Sequence, residues 1–428
     1  MEFKRIRRSV GGRSLAAALL GTTFLIGLAG PALADSRLES ENAELRAMIE
    51  DLEQEVRILK NMVIEQGRKV MEAAEPKAPA KMVTSGKRNV SLSVSGQVNR
   101  MILMADDGNE SRNFFADNDQ SSTRFRLKGK AELDGGWSAG TTFEAELESN
   151  SSASVAIEDP KEGGDTNKAS LKERKLEVWF ENGDVGKISL GQGSTASDGT
   201  IEEDLSGTGV ITGAGFGGTG ASLEFIRSDM AGRVGSGVVV DDLFGNQDGL
   251  SRKDRIRYDS PSLNGFQVST SFLGGRYKDG VESGAWDLAL RYGAELGDFD
   301  VAAAASTWQK NADTTGQGGS VSFLAPSGTS FTGAYSTTSR SAGADPTFTY
   351  LKLGQELEGS RALSFGIGDT ENQGGEGNAG SYYDLAFVQK IEDLGTELYA
   401  IYGIYSADIV GMSTNDITIT GVGARIKF

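Results

Sequence analysis

The groups in this chain able to do chemistry are carboxylates, hydroxyls and cations, because its 428 residues include neither histidine nor cysteine. Ser-His-Asp triads, thiol nucleophiles, disulfide scaffolds and imidazole- or thiolate-bound metals are thereby excluded. The clearest cationic set is Arg124, Arg126, Lys128 and Lys130, which alternate along one run. On a strand they would share a face, about 7 Å apart. Arg255 and Arg257 form a second alternating pair, and Arg291, Arg425 and Lys427 follow the same parity in their own runs. The acids Asp198, Glu202, Glu203 and Asp204 gather in a stretch of some sixty residues, rich in Gly and Asp, between Gly193 and Asp254. Rows of opposite charge facing each other across a narrow waist create a transverse field that orients water and polar solutes and disfavours apolar ones. The alternative reading of the carboxylate trio is a structural calcium ion, since hard cations take several oxygens. No other cofactor is indicated.

Such residues need a scaffold, and the composition constrains it. The 60 acids against 43 basic residues give a net charge of −17, which offers no footprint for nucleic acid. Basic Lys4 to Arg8 precede an apolar run, Leu15 to Gly30, and then Pro31-Ala32-Leu33-Ala34. That order is a signal peptide over residues 1–34, with Asp35 the expected mature start. Residues 1–34 hold five basic groups (Lys4, Arg5, Arg7, Arg8, Arg13) and one acid (Glu2), so their removal takes away +4 and leaves −21. This excess of acid favours a mild cation preference in any pore the mature chain forms.

Residues 35–75 follow a seven-residue repeat. Leu38, Leu45, Leu52 and Leu59 fall at d, while Asn42, Ile49, Val56 and Val63 fall at a. β-branched residues at a with Leu at d form a coiled-coil signature, and one polar a residue, Asn42, fixes register at some cost in stability. A helix over residues 38–72 would be a rod of roughly 50 Å. Residues 76–88, with Pro76, Pro79, Lys77, Lys81, Lys87 and Arg88, read as a stiff basic linker.

From residue 89 the period changes to two. Val90, Leu92, Val94 and Val98 alternate with Ser91, Ser93, Ser95, Gln97 and Asn99. Phe143, Ala145 and Leu147 alternate with Thr142, Glu144, Glu146 and Glu148, and the chain closes on Val422, Ala424, Ile426 and Phe428. Sixteen such runs are expected, near 90–104, 121–133, 138–149, 171–181, 185–193, 254–259, 265–276, 285–293, 298–308, 317–325, 328–338, 347–358, 361–370, 381–391, 396–407 and 416–428. Short turns such as Asn182-Gly183-Asp184 alternate with longer polar loops. An even number of long strands, apolar outside and polar inside, defines an all-β, sixteen-stranded antiparallel transmembrane barrel. A piece of the long insert, Ala221 to Ile226, is expected as a small hairpin; were it and Val238-Val239-Val240 wall strands, the barrel would have eighteen.

Gly191 to Asp198, then Arg255-Ile256-Arg257-Tyr258-Asp259-Ser260-Pro261 followed by Gly265-Phe266, and the ending Gly421 to Phe428 resemble the general outer-membrane porins of α-proteobacteria. The resemblance covers residues 89–428 and implies a homotrimeric barrel whose third loop folds inward, with Phe428 as assembly signal. It implies passive diffusion of ions and small hydrophilic solutes, the alternative being a solute-specific channel for anions or sugars. The heptad segment is an addition. It would lie in the periplasm, clamping the trimer, reaching peptidoglycan, or both, while the barrel sits among outer-membrane lipid and lipopolysaccharide. An outer-membrane enzyme is disfavoured by the missing base, and a trimeric adhesin would need only a short C-terminal anchor.

Overall fold

A computed structural model describes residues 90–158, 170–213, 218–275 and 280–428. The expected signal peptide, coiled coil and linker lie outside the described residues. So do the core residues Leu38, Asn42, Leu45, Ile49, Leu52, Val56, Leu59 and Val63.

Period-two sequence becomes wall strand almost throughout. In chain order the strands are β1 (Val90–Asp106), β2 (Ser111–Asp117), β3 (Arg124–Glu132), β4 (Trp137–Glu148), β5 (Ser170–Asn182), β6 (Gly186–Ser194), β7 (Glu224–Ile226), β8 (Gly235–Val239), β9 (Arg252–Asp259) and β10 (Phe266–Leu273). The series continues with β11 (Trp286–Leu296), β12 (Phe299–Asn311), β13 (Thr314–Leu324), β14 (Thr329–Arg340), β15 (Thr347–Leu357), β16 (Arg361–Glu371), β17 (Ala379–Ile391), β18 (Thr396–Asp408) and β19 (Ile417–Lys427). β7 and β8 pair only with each other, so the hairpin joins Glu224–Ile226 to Gly235–Val239 and is not contained within Ala221 to Ile226 as expected, and neither strand is part of the wall. β2 and β3 are two halves of one wall strand. The upper half of β1 pairs with β2 and its lower half with β3, across a short 3-10 turn at Asp119–Ser121. Counted this way, the wall has sixteen strands, each antiparallel to its neighbours, and β1 closes it by pairing with β19 from Gln97↔Lys427 to Asp106↔Thr418.

The pleat sorts side chains to two surfaces, as a barrel in lipid requires. Leu92, Val94, Val98, Ile102, Phe115, Leu176, Val178, Phe180, Ile188 and Leu190 are exposed on the outer face. The inner face is not uniformly wet, and here the expectation of a polar interior needs correcting. Met101, Leu103 and Ala105 of β1, Phe114 of β2, Tyr382, Ala386 and Val388 of β17, Tyr399, Ile401 and Tyr405 of β18, and Ile417 and Ile419 of β19 point inward and are buried. The third loop, residues 195–251, covers them with Val210, Ile211, Leu223, Phe225, Leu243 and Phe244. Loop and wall thus make an apolar core inside the barrel, and that arc of the lumen is filled. The signal was present in Met101-Ile102-Leu103-Met104-Ala105, an unbroken apolar run of the kind that marks burial on both faces.

Phe428 ends the chain at the closing seam. Its backbone N–H donates to Gly96 O (3.0 Å), and its carbonyl accepts from Gly96 N (2.9 Å). The Phe428 ring covers the outer side of Gly96, where a Cβ would stand 2.5 Å from the ring. Gly96→Leu should therefore push the terminal ring aside and destabilise the seam by about 1–3 kcal/mol, the usual cost of overpacking. The check is the temperature at which the folded barrel loses its fast electrophoretic mobility; an unaltered temperature would mean that the ring contributes nothing to closure.

Candidate functional site

Cross-strand pairing fixes which cations face inward. Gln97, an inward residue, pairs with Arg124, and Arg126 and Lys128 pair with Glu144 and Thr142, so Arg124, Arg126, Lys128 and Lys130 stand in one inward row. Arg126 forms an ion pair with Glu144, and Lys130 reaches Glu132 at 2.8 Å. Lys128 and Lys187 lie over the Trp179 ring at 5.3 and 5.2 Å, a cation–π arrangement. Sequence reading missed Arg174, which owes its position to a bulge in β5 where Glu144 opposes Lys175 and Ala145 opposes Glu173. The extra residue lets Arg174 as well as Lys175 face the lumen. Its guanidinium donates to Glu144 Oε1 at 2.9 Å and also to Glu146.

Arg255 and Arg257 are inward as expected, but they hold the root of the third loop more than they line a passage. Arg255 is 5% exposed; it donates to Ser194 O (2.9 Å), Gly191 O (2.7 Å) and Glu177 Oε2 (2.5 Å). A Cβ on Gly193 would lie 2.8 Å from both Arg255 Nη2 and Glu177 Oε2, so the clamp needs glycine there. Arg257 takes Thr195 O (2.7 Å), and Arg291 takes Ala196 O and Asp198 O (2.8 Å each). Three arginines on β9 and β11 thus catch successive carbonyls and turn the chain inward. Arg425 has a comparable structural role, pairing with Glu397 and donating to Ser121 Oγ.

Beyond its root the loop is fastened along the far wall by hydroxyls. Asp287 of β11 accepts from Ala196 N, Ser197 N and Ser197 Oγ, at 3.2, 2.8 and 2.6 Å. Thr200 bonds Ser306 of β12, Glu203 N donates to Ser320 Oγ and Leu205 N to Ser322 Oγ of β13, and Thr208 bonds Ser364 of β16. Lys352 of β15 is 1% exposed; its ammonium donates to Asp204 Oδ2 (2.9 Å), Thr212 O (2.8 Å) and Gly213 O (3.0 Å).

The four predicted loop acids therefore part company. Asp204 faces Lys352 and not the cation row. Glu202 and Glu203 stay nearer the lumen, and Asp198 lies 4.0 Å from Arg252. Glu202 accepts from Asn246 Nδ2 (3.0 Å). An acid that sequence reading passed over, Asp248, joins them by accepting from Gly199 N (2.6 Å) and Ile201 N (3.1 Å). Among the described residues, the carboxylates whose oxygens converge are Asp119, Glu146 and Glu148, not the Glu202–Asp204 trio, and Lys172 already bridges Glu146 and Glu148.

Burial pushes the Asp248 carboxyl up to about 8, and the charges of Glu202 and Asp198 push in the same direction. Burial also raises Glu202 and Glu203. A folded-state value above the unfolded one means that the folded loop binds the extra proton. The stabilisation is complete below about pH 4, the usual carboxyl range, and is lost as pH rises through about 8. Raising the pH through 8 should therefore loosen the loop and add negative charge to the waist, shifting the reversal potential toward cations. Asp248→Asn should abolish that step; a step of equal size in the variant would assign it elsewhere.

A sixteen-stranded barrel with an inward-folded loop opposite a basic wall is the architecture of an outer-membrane diffusion channel. A family profile described as Gram-negative porin matches residues 16–409, and the chain belongs to that family. No curated protein sequence matches the chain. Solved structures share the fold at low identity. The anion-selective porin from Comamonas acidovorans matches at 15% identity and a TM-score of 0.54, covering 79% of this chain and 100% of that one. The outer membrane protein OmpT of Vibrio cholerae, solved in a trimer form, matches at 14% and 0.51, with coverage of 79% and 100%. OmpF of Salmonella typhi, solved with daunomycin, matches at 13% and 0.52, with coverage of 79% and 98%.

Proposed function

We propose that the protein is a homotrimeric outer-membrane porin through which ions and small hydrophilic solutes diffuse past an eccentric waist. The waist lies between the basic row on β3–β6 and the third loop. The observation that carries this reading is the loop fastened hydroxyl by hydroxyl to β11–β16, which leaves the basic arc as the wall facing the passage. The trimer form of the Vibrio cholerae relative supports the assembly. So does Arg100, near the middle of β1, which faces outward and pairs with Asp117 at 2.7 Å while 43% exposed. An arginine meeting lipid at mid-membrane costs roughly 2–4 kcal/mol, a cost that a neighbouring subunit at this face removes. Lipopolysaccharide would surround the remaining outer face.

The inner faces of β3–β6 and β9 carry eleven cations (Arg124, Arg126, Lys128, Lys130, Lys172, Arg174, Lys175, Lys187, Lys253, Arg255, Arg257) against seven carboxylates (Glu132, Glu144, Glu146, Glu148, Glu177, Glu181, Asp259). With Asp204 neutralised by Lys352 and Asp248 protonated at neutral pH, the waist favours anions. That reverses the preference which net charge alone suggests. The heptad segment 35–75, in the periplasm, would clamp the trimer or reach peptidoglycan.

Purified protein in planar bilayers should give stepwise conductance and, in a salt gradient at pH 7, a reversal potential on the anion side. Bilayers that stay sealed would refute the pore, and a cation-side potential would refute the selectivity. Deleting residues 36–75 should leave conductance nearly intact while lowering the trimer's melting temperature or its association with sedimented cell wall. If neither property moved, the clamp and tether roles would both fail.

A further inference from the structure

The returning leg of the third loop encloses, with the upper ends of β12, β13 and β14, a pocket of about 380 Å³ that the diffusion path does not require. That volume lies in the range small-molecule ligands occupy. Its lining includes Trp308 and Lys310 of β12, Arg340 of β14, and Asp242 and Gln247 of the loop. Lys310 occupies a register shift, since Gln309 pairs with Thr315 but Asn311 pairs with Thr314. Such an extra residue re-aims its side chain. Among the described residues, neither Lys310 nor Arg340 has an ion-pair partner, whereas Arg126, Lys130, Lys172 and Arg174 of the basic wall each pair with a carboxylate.

Gln247 is the most telling member. Its φ is +54°, a backbone conformation that non-glycine residues seldom adopt. Both its amide atoms, Oε1 and Nε2, are shut from solvent and find no hydrogen-bond partner among the described residues. Strain and an unpaired buried amide at one residue are costs that persist chiefly where a ligand or mechanism uses them.

We propose that this pocket binds small hydroxylated carboxylates, the class to which sugar acids belong, upstream of the waist. The guanidinium of Arg340 presents a fork that matches a carboxylate, and Lys310 adds a second positive charge. The amide of Gln247, turned into the pocket as the ligand enters, and the carboxylate of Asp242 supply donor and acceptor for hydroxyls, and Trp308 offers an apolar edge to the carbon skeleton. Two cations against one carboxylate suit a monoanion, whereas a phosphomonoester would bring nearly two charges beside Asp242. The proposal deepens the channel reading and rests on it, adding saturable binding to simple diffusion.

The test is calorimetric titration of the detergent-solubilised full-length protein with glucuronate, glucose and acetate. Glucuronate should bind saturably, whereas glucose, lacking the charge, and acetate, lacking the hydroxyls, should each bind at least about tenfold more weakly. The double variant Lys310→Gln/Arg340→Gln should lose about tenfold or more in glucuronate affinity, and Gln247→Leu several-fold. Should the double variant fail to fold, Gln247→Leu alone decides, since removing an unpaired amide and its strain ought otherwise to leave the barrel intact. No saturation by glucuronate, equal binding of glucose, or undiminished affinity in the variants would each overturn the site. Potassium chloride conductance of the same preparation separates the failures: pores that conduct without saturable binding sink only the pocket, and absent pores sink the channel.

Discussion

Lys352→Met should detach the middle of the third loop. The ammonium is fully enclosed and bonds Asp204 and the carbonyls of Thr212 and Gly213, so its loss strands a buried carboxylate and two carbonyl oxygens together. Removing one partner of a buried pair costs about 3–5 kcal/mol, against about 0–1 for an exposed pair such as Lys130–Glu132. The barrel itself, held by sixteen strands of backbone pairing, should survive. The loop should not stay seated. The expected result is larger and noisier single-channel conductance, closure at lower voltage, and faster proteolysis within residues 202–213. Adding Asp204→Asn should restore much of the wild-type behaviour, since the two neutral side chains no longer strand a charge. If the single variant conducted quietly at the wild-type level, Lys352 would be no anchor.

The second large effect concerns Arg124, Arg126, Lys128 and Lys130. Replacing all four by glutamine leaves seven cations against seven carboxylates on the inner faces of β3–β6 and β9, so that the loop acids Asp198, Glu202 and Glu203 set the sign, and should carry the reversal potential from the anion to the cation side. The change should be larger at low salt, because a Debye length of about 30 Å at 0.01 M leaves the field of a wall unscreened across the passage. Arg126→Gln alone would leave Glu144 held by Arg174, so that carboxylate stays paired. A reversal potential that stays where it was would mean that solutes take another route.

The wall was legible because its rule is local. Alternation along each strand is written into neighbouring residues, and sixteen runs emerge in place from Val90 to Lys427. β2 escaped notice since the 3-10 turn at Asp119–Ser121 interrupts its alternation before β3 resumes it. The insert between β6 and β9 was legible as a loop, but of its hairpin only β7 falls within the expected piece. Where the loop lies was not legible from its residues: Ser306, Ser320, Ser322 and Ser364 read only as polar inner-face residues until the loop amides and hydroxyls that they meet are known. The same limit misled the assignment of charge. Arg255 and Arg257 have the right parity for the passage and Asp204 sits in the loop that enters it, yet their partners lie up to 148 positions away, and partnership decides whether a charge addresses solute or backbone.

The apolar core between the third loop and the inner faces of β1, β2 and β17–β19 divides the circumference into two arcs with separate duties. Drift in the dry arc is answerable to packing: a polar residue at Tyr405 or Ile419 would unseat the loop without ever meeting a solute. Drift in the wet arc is answerable to traffic, and tolerates exchanges of charge that the dry arc would refuse. A designer wishing to change what passes should therefore work on β3–β6, and one wishing to harden the protein should work on β17–β19, with little interference between the two programmes.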